Sequence, residues 1–193
     1  MRRRILLSLA AAAALLAAAP AFAAGEKKAD ADQDSYDQDA LLKDAEAFFG
    51  KSTEGLAKVI EKAFRDHGRP NGYIRGEEAA GALTVGLRYG NGMLIRKTAR
   101  PRQVFWTGPS IGFDAGANLS KVFILVYRLD QTGKLFRRYP GVDGSLYFVG
   151  GVGINYQRRD DVVLAPIRLG VGLRAGASIG YMNYTPKKTY NPF

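Results

Sequence analysis

Ile167–Tyr181 reads IRLGVGLRAGASIGY. From Ile167 every second residue is apolar or aromatic (Ile, Leu, Val, Leu, Ala, Ala, Ile, Tyr), and the positions between, from Arg168, are Arg, Gly, Gly, Arg, Gly, Ser, Gly. Side chains alternate between faces along a strand, so this spacing makes one continuous apolar row. A helix would set Arg168 and Arg174 among the leucines, and each interior glycine would cost it about 1 kcal/mol relative to alanine. The segment reads as a strand. At about 3.3 Å per residue it is long enough to need a bend, and the glycine-bearing face lets it curl. Two-faced alternation argues against a parallel sheet buried on both sides. The stretch predicts a small closed barrel or a strongly twisted sandwich.

Working outward, Leu146–Tyr156 is expected to pair with this stretch, with Gly150 interrupting the face shared by Leu146, Phe148, Val152, Ile154 and Tyr156. Gln157–Asp161 reads as a turn, and Pro166 as an edge or a bulge. Lys121–Leu129 (KVFILVYRL) is expected to be the most buried strand, Val104–Thr107 a short aromatic one, and Ile111, Phe113 and Ala115 alternate as a further strand. Ala82–Tyr89 and Met93–Lys97 read as the arms of a hairpin around Gly90-Asn91-Gly92. Two helices precede the strands. Ala40–Phe49 is stopped by Gly50; a second is capped by Ser52 or Thr53, carries Leu56, Val59, Ile60, Ala63 and Phe64 on one stripe, and is closed by Gly68 and Pro70. The stripe is assigned to docking on the sheet, since Glu54, Glu61 and Asp66 leave its polar face without a dense run of cations. The expected fold is mainly β: a small antiparallel barrel of about 8–10 strands over 73–184, after one or two short helices within 40–68, with an irregular tail at 185–193.

The chain opens on Met1-Arg2-Arg3-Arg4, continues with a Leu/Ala-rich run over Ile5–Ala19, and reaches Ala21-Phe22-Ala23. A charged start, a short apolar centre and a small-residue end predict a cleaved signal peptide over 1–23 rather than a membrane span, and a periplasmic protein. Cysteine is absent, which excludes disulfides and thiolate metal sites. Residues 24–39 are polar and acidic and read as a disordered leader.

Charge is unevenly placed. Gly25–Gly50 holds eight acidic and three basic residues, whereas Lys51–Phe193 holds twenty-two basic and ten acidic ones. A basic body favours an anionic partner. Export argues against nucleic acid and leaves lipid headgroups, lipopolysaccharide and peptidoglycan. The candidate contacts are Arg100 and Arg102, before Phe105 and Trp106, and Arg137-Arg138, between Phe136 and Tyr139. Guanidinium groups pair with phosphate and carboxylate, and aromatic rings stack on saccharide. Other motifs carry less. Gly150-Gly151-Val152-Gly153 opens no helix and makes no dinucleotide loop. His67, the single histidine, forms no zinc site or triad and reads as a favourable charge at a helix C-terminus. Glu77-Glu78 and Asp160-Asp161 are the adjacent acidic pairs of the body, and a glycan hydrolase would have to draw on them. No catalytic residue, metal or cofactor is assigned.

Four stretches carry a resemblance: GRPNGYIRGEEAAGALTVGLRYGNG, GPSIGFDAGANLSKVF, FRRYPGVDGSLYFVGGVGINYQ and VLAPIRLGVGLRAGASIGYMNYT. Taken in order, they are similar to the envelope integrity protein A family. The resemblance implies a small soluble periplasmic β-barrel that supports envelope integrity and resistance to cell-wall stress, with no known catalytic residues to carry over. More loosely, the G-F-x-x-G-A run at Gly112–Ala117 resembles the lipid-binding SYLF domain.

Overall fold

Asp37 starts the first helix by accepting a 2.8 Å hydrogen bond from the Ala40 amide, and Gly50 ends it at φ +75°. This is α1, Gln38–Phe49. Thr53 caps α2, Glu54–His67, through the Leu56 amide, and Gly68 closes it at φ +76°. Both stops need a positive φ, which glycine adopts without a Cβ penalty. The computed structural model describes residues 33–170 and 180–189, apart from the side chains of 80–85 and 110–118. The expected signal peptide over 1–23, residues 24–32 of the expected leader and residues 171–179 of the opening stretch, Arg174 among them, lie outside the described residues.

The leader does not run on as a free segment to Asp39. Ser35 is buried, the Tyr36 amide donates to the Pro70 carbonyl, and the Tyr36 ring meets Tyr73 edge-on at 5.2 Å. The sequence reading saw polarity there, and one tyrosine with a receptive ring decides against it.

His67 also departs from its expected role. Its ring lies edge-on to Tyr156 at 4.4 Å and near Tyr127 at 5.4 Å. Burial pushes its pKa below the ordinary value; Arg128, Arg158 and Lys62 add to this, and Asp66 opposes it. The packing thus disfavours the charged form that a role at the helix end would need. A base with a lowered folded pKa favours the fold above its ordinary pKa of 6.5 and loses that contribution as pH falls. An NMR titration of this single histidine is expected to give a midpoint below 6.5; a midpoint above it would contradict the packing described.

Among the described residues eight strands form one antiparallel sheet: β1 Gly72–Arg96, β2 Ala99–Tyr127, β3 Arg138–Pro140, β4 Tyr147–Val149, β5 Val152–Ile154, β6 Gln157–Arg159, β7 Val162–Leu169 and β8 Tyr181–Thr185. The order is β3-β8-β2-β7-β5-β4, with β1 also on β2 and β6 also on β7. β1 and β2 are a single long hairpin that turns at Lys97-Thr98. Gly90-Asn91-Gly92 is therefore not a turn but the middle of β1. Neither glycine has positive φ. Trp106 lies on Gly90, and the Gly92 α carbon lies against Gly76 of the same strand, so the hairpin bends until the two limbs of β1 touch. The missed turn is Gly150-Gly151, at φ +57° and +78°, which divides the expected Leu146–Tyr156 strand into the β4–β5 hairpin. The three strands expected between Val104 and Leu129 are all part of β2.

The sheet encloses two apolar cores. Helix residues Leu41, Leu56, Val59, Ile60 and Ala63 pack on the odd-numbered face, against Tyr73, Phe123, Leu125, Tyr127, Val163, Ala165 and Ile167. The even-numbered face curls around Ile74, Leu94, Trp106, Val122, Ile124, Val126, Leu164 and Tyr184. Every residue from Val122 to Tyr127 is buried, as expected of this stretch, because helices cover one side and the curl covers the other. Ile167 and Leu169 thus face the helices, and Arg168 turns into the barrel.

β7 and β8 flank the two halves of β2 in a constant register. Arg168 pairs with Val122 and Asn183 with Thr107, so fourteen positions of the sequence separate the two pairings on either side, 169–182 and 108–121. Pro166 lies where β7 leaves β6, paired through Leu164, for β5, paired from Ile167; the ladder asks no hydrogen bond of it on that side. A bridge between Gly141 and Gln157 links the end of β3 to β6. The described residues thus form a curled, barrel-like sheet with two helices. Among the described residues no helix is long and apolar enough to cross a membrane.

Candidate functional site

The ends of β2 and β3 and the β6–β7 turn surround a cleft of about 690 Å³, lined by Arg128, Asp130, Lys134, Arg137, Tyr139, Arg159, Asp160, Asp161 and Val162. Arg128 follows β2 at φ +56°, and Asp160 turns β6 into β7 at φ +52°. Among the described residues these are the only non-glycine positions with positive φ, and both line the cleft. Aspartate enters that region easily in two-residue hairpins. Arginine does so at a cost of about 1–2 kcal/mol, and such strain collects at functional sites. Tyr139, buried beneath, donates a 2.8 Å hydrogen bond to the Lys134 carbonyl and so pins the 3-10 turn Thr132–Leu135. Burial raises its hydroxyl pKa to about 12.

Cations outnumber carboxylates in the cleft by four to three. Lys134 reaches Asp130 at 2.6 Å, and Arg137 donates to Asp160 at 3.1 Å. The Lys134 contact holds Asp130 below the usual carboxylate range. Both pairs are exposed to water, so each contributes little to stability and is open to exchange for another anion.

The arginines singled out in the sequence separate. Arg137 lines the cleft. Arg138 lies over the Tyr181 ring at 4.4 Å, while its carbonyl accepts from Arg159. Arg100 and Arg102 are exposed near the β1–β2 turn. Arg96, at the same turn, donates to Thr132 and to the Asp130 carbonyl, which brings that end of the hairpin beside the cleft loop. Trp106 is elsewhere: it faces the second core and is 2% exposed. The acidic pairs separate too. Asp160 and Asp161 line the cleft, Glu77 is exposed on β1, and Glu78 is buried. Sequence reasoning missed Arg128, Lys134 and Arg159, which no motif connects.

Glu78 organises the barrel interior. Arg168 grips it through Nε at 2.5 Å and a second guanidinium nitrogen at 3.2 Å, and also donates to Asn155. The Trp106 indole donates to Glu78 at 3.3 Å, and Arg88 lies 3.7 Å away. Burial alone would raise the Glu78 pKa. The charges of Arg168 and Arg88, with the hydrogen bonds from Arg168 and Trp106, outweigh it and hold the carboxyl at about 2. Arg168 is thus the inward residue that makes the polar face of the opening stretch compatible with burial.

The model of the envelope integrity protein A family matches residues 34–193, the whole of the helices, sheet and cleft. The chain belongs to the envelope integrity protein A family. A beta-barrel-like, uncharacterized protein from Brucella abortus, known from its crystal structure, has the same fold at TM-score 0.77 and 46% identity, over 83% of this chain and 99% of that one. No curated protein matches the chain. Membership in the envelope integrity protein A family supports an envelope-related role, the setting in which the cleft is read.

Proposed function

We propose that this member of the envelope integrity protein A family is a non-catalytic periplasmic protein that holds an anionic envelope component in the basic cleft: a lipid headgroup, lipopolysaccharide or peptidoglycan. One observation carries this reading. Arg128 takes a strained left-handed backbone at the rim of a cleft that also gathers Lys134, Arg137 and Arg159. An incoming phosphate or carboxylate replaces Asp160 on Arg137 with a charge-assisted pair of the same kind, and planar guanidinium groups suit such ligands in two-point contacts. Arg100 and Arg102, exposed near the β1–β2 turn, add cationic surface for a larger polyanion.

Binding to lipopolysaccharide, to muropeptides and to vesicles containing anionic lipid tests the proposal. Wild type is expected to bind at least one of the three, with affinity falling as salt rises. Replacing Arg128 and Arg137 with alanine is expected to weaken that binding at least tenfold, at about 1.4 kcal/mol per factor of ten. Arg138→Ala is expected to do less, since that side chain is engaged with Tyr181. Binding unchanged by the double replacement, or no binding to any of the three, would overturn the reading.

A further inference from the structure

A second cavity lies away from the basic cleft, where the two limbs of β1 separate beyond the Gly76–Gly92 contact. It measures about 510 Å³ and is lined by Glu77 and Ala79 of one limb, Tyr89, Gly90 and Asn91 of the other, Phe105, Trp106 and Leu119 of β2, and Lys188 and Thr189 of the tail. We propose that this slit is a binding site for a neutral saccharide. The inference does not rest on the anion reading, since the two cavities share no residue.

The composition of the walls selects the ligand class. Tyr89 and Phe105 supply aromatic surface, and Leu119, 74% exposed, adds an aliphatic edge that no core accounts for. Glu77 and Asn91 are exposed, and each places an oxygen acceptor beside that surface. Asn91 sits directly across from Phe105 in the ladder, and Ala79 across from Leu119, so a polar group lies beside the aromatic surface and an apolar pair lies on the other limb. A sugar ring has apolar C–H faces and hydroxyl edges, and it can use both kinds of group at once. An alkyl chain would strip water from Glu77 and Asn91 and return no hydrogen bond. A small anion would meet the Glu77 carboxylate. A cavity of this size with convergent polar groups is the usual form of a small-ligand site. Trp106 forms its inner wall while donating to Glu78, so the slit abuts the barrel's ion-pair network.

Trp106 is the only tryptophan in the chain, so its emission reports on this wall. Titration with cellobiose, maltose and N,N′-diacetylchitobiose is expected to give a saturable change with at least one, at a Kd of about 1 mM or tighter. High salt is expected to leave it unmoved, as is Arg137→Ala in the basic cleft. Glu77→Gln is expected to weaken it about tenfold, the value of a hydrogen bond to a charged group. Asn91→Ala, also on the exposed face, provides a second route, with circular dichroism confirming that each variant is folded. Three results would overturn the proposal: no saturable change with any disaccharide, a response to the uncharged detergent tetraethylene glycol monooctyl ether without one to the sugars, or full affinity in both variants.

Discussion

Glu78→Gln is expected to lower the stability of the fold by about 3–5 kcal/mol, the usual cost of leaving a buried charge without its partner. Arg168 would then keep its guanidinium in the barrel interior with Asn155 and no carboxylate among its bonded partners. Arg168→Met is expected to cost less, because Arg88 stays 3.7 Å from Glu78. Replacing both residues by apolar side chains of similar volume should cost less than the sum of the single changes. Midpoints of urea unfolding measure all three, and single variants within about 0.5 kcal/mol of wild type would refute the role given to the pair. The pH dependence follows with a fixed sign. A carboxyl held at about 2 when folded, against an ordinary 4.5, contributes fully above pH 4.5 and loses that contribution as pH falls toward 2. The Gln variant should lose that part of the acid sensitivity.

Gly76→Ala should be the next most damaging change, at about 3 kcal/mol. A Cβ there would meet the Asn91 carbonyl, the Gly92 α carbon and the Trp106 ring, and the first two are backbone that cannot rotate away. The contact holds the limbs of β1 together, so the bend of the hairpin opens with it. Gly133→Ala is the matched control. It has open space around it, and its expected effect is within about 0.5 kcal/mol. Thermal unfolding compares them, and equal midpoints would mean that the limbs do not depend on this approach.

The alternation that opened the reading was legible because it depends only on the strand period. It pointed to the class and to Lys121–Leu129 as the most buried strand, of which Val122–Tyr127 is buried throughout. Glycine was ambiguous. In the sequence, Gly90-Asn91-Gly92 and Gly150-Gly151 look like the same signal, yet the first pair of glycines makes room for Trp106 and Gly76 while the second turns the chain. Local pattern cannot separate a residue that needs positive φ from one that needs an absent Cβ, because the second requirement comes from a partner distant in sequence. The sites divide on the same ground. Arg137 was visible as part of an aromatic–basic cluster, but Arg128, Lys134 and Arg159 join it only through the fold. Trp106, grouped with the arginines by proximity in sequence, is turned into the second core by strand alternation, since it shares its face with Val104 rather than Phe105. Glu78 and Arg168 lie ninety positions apart, and nothing short of the sheet register pairs them.

The central claim is that the basic cleft is where an envelope polyanion binds, and mapping backbone amide shifts during titration with pyrophosphate, the smallest probe with two linked phosphates, tests it most directly. The account predicts perturbations concentrated at 128–137 and 159–162, weakening as salt is raised and lost when Arg128 and Arg137 are both alanine. Perturbations confined to other surfaces, or shifts that survive the double replacement, would contradict it.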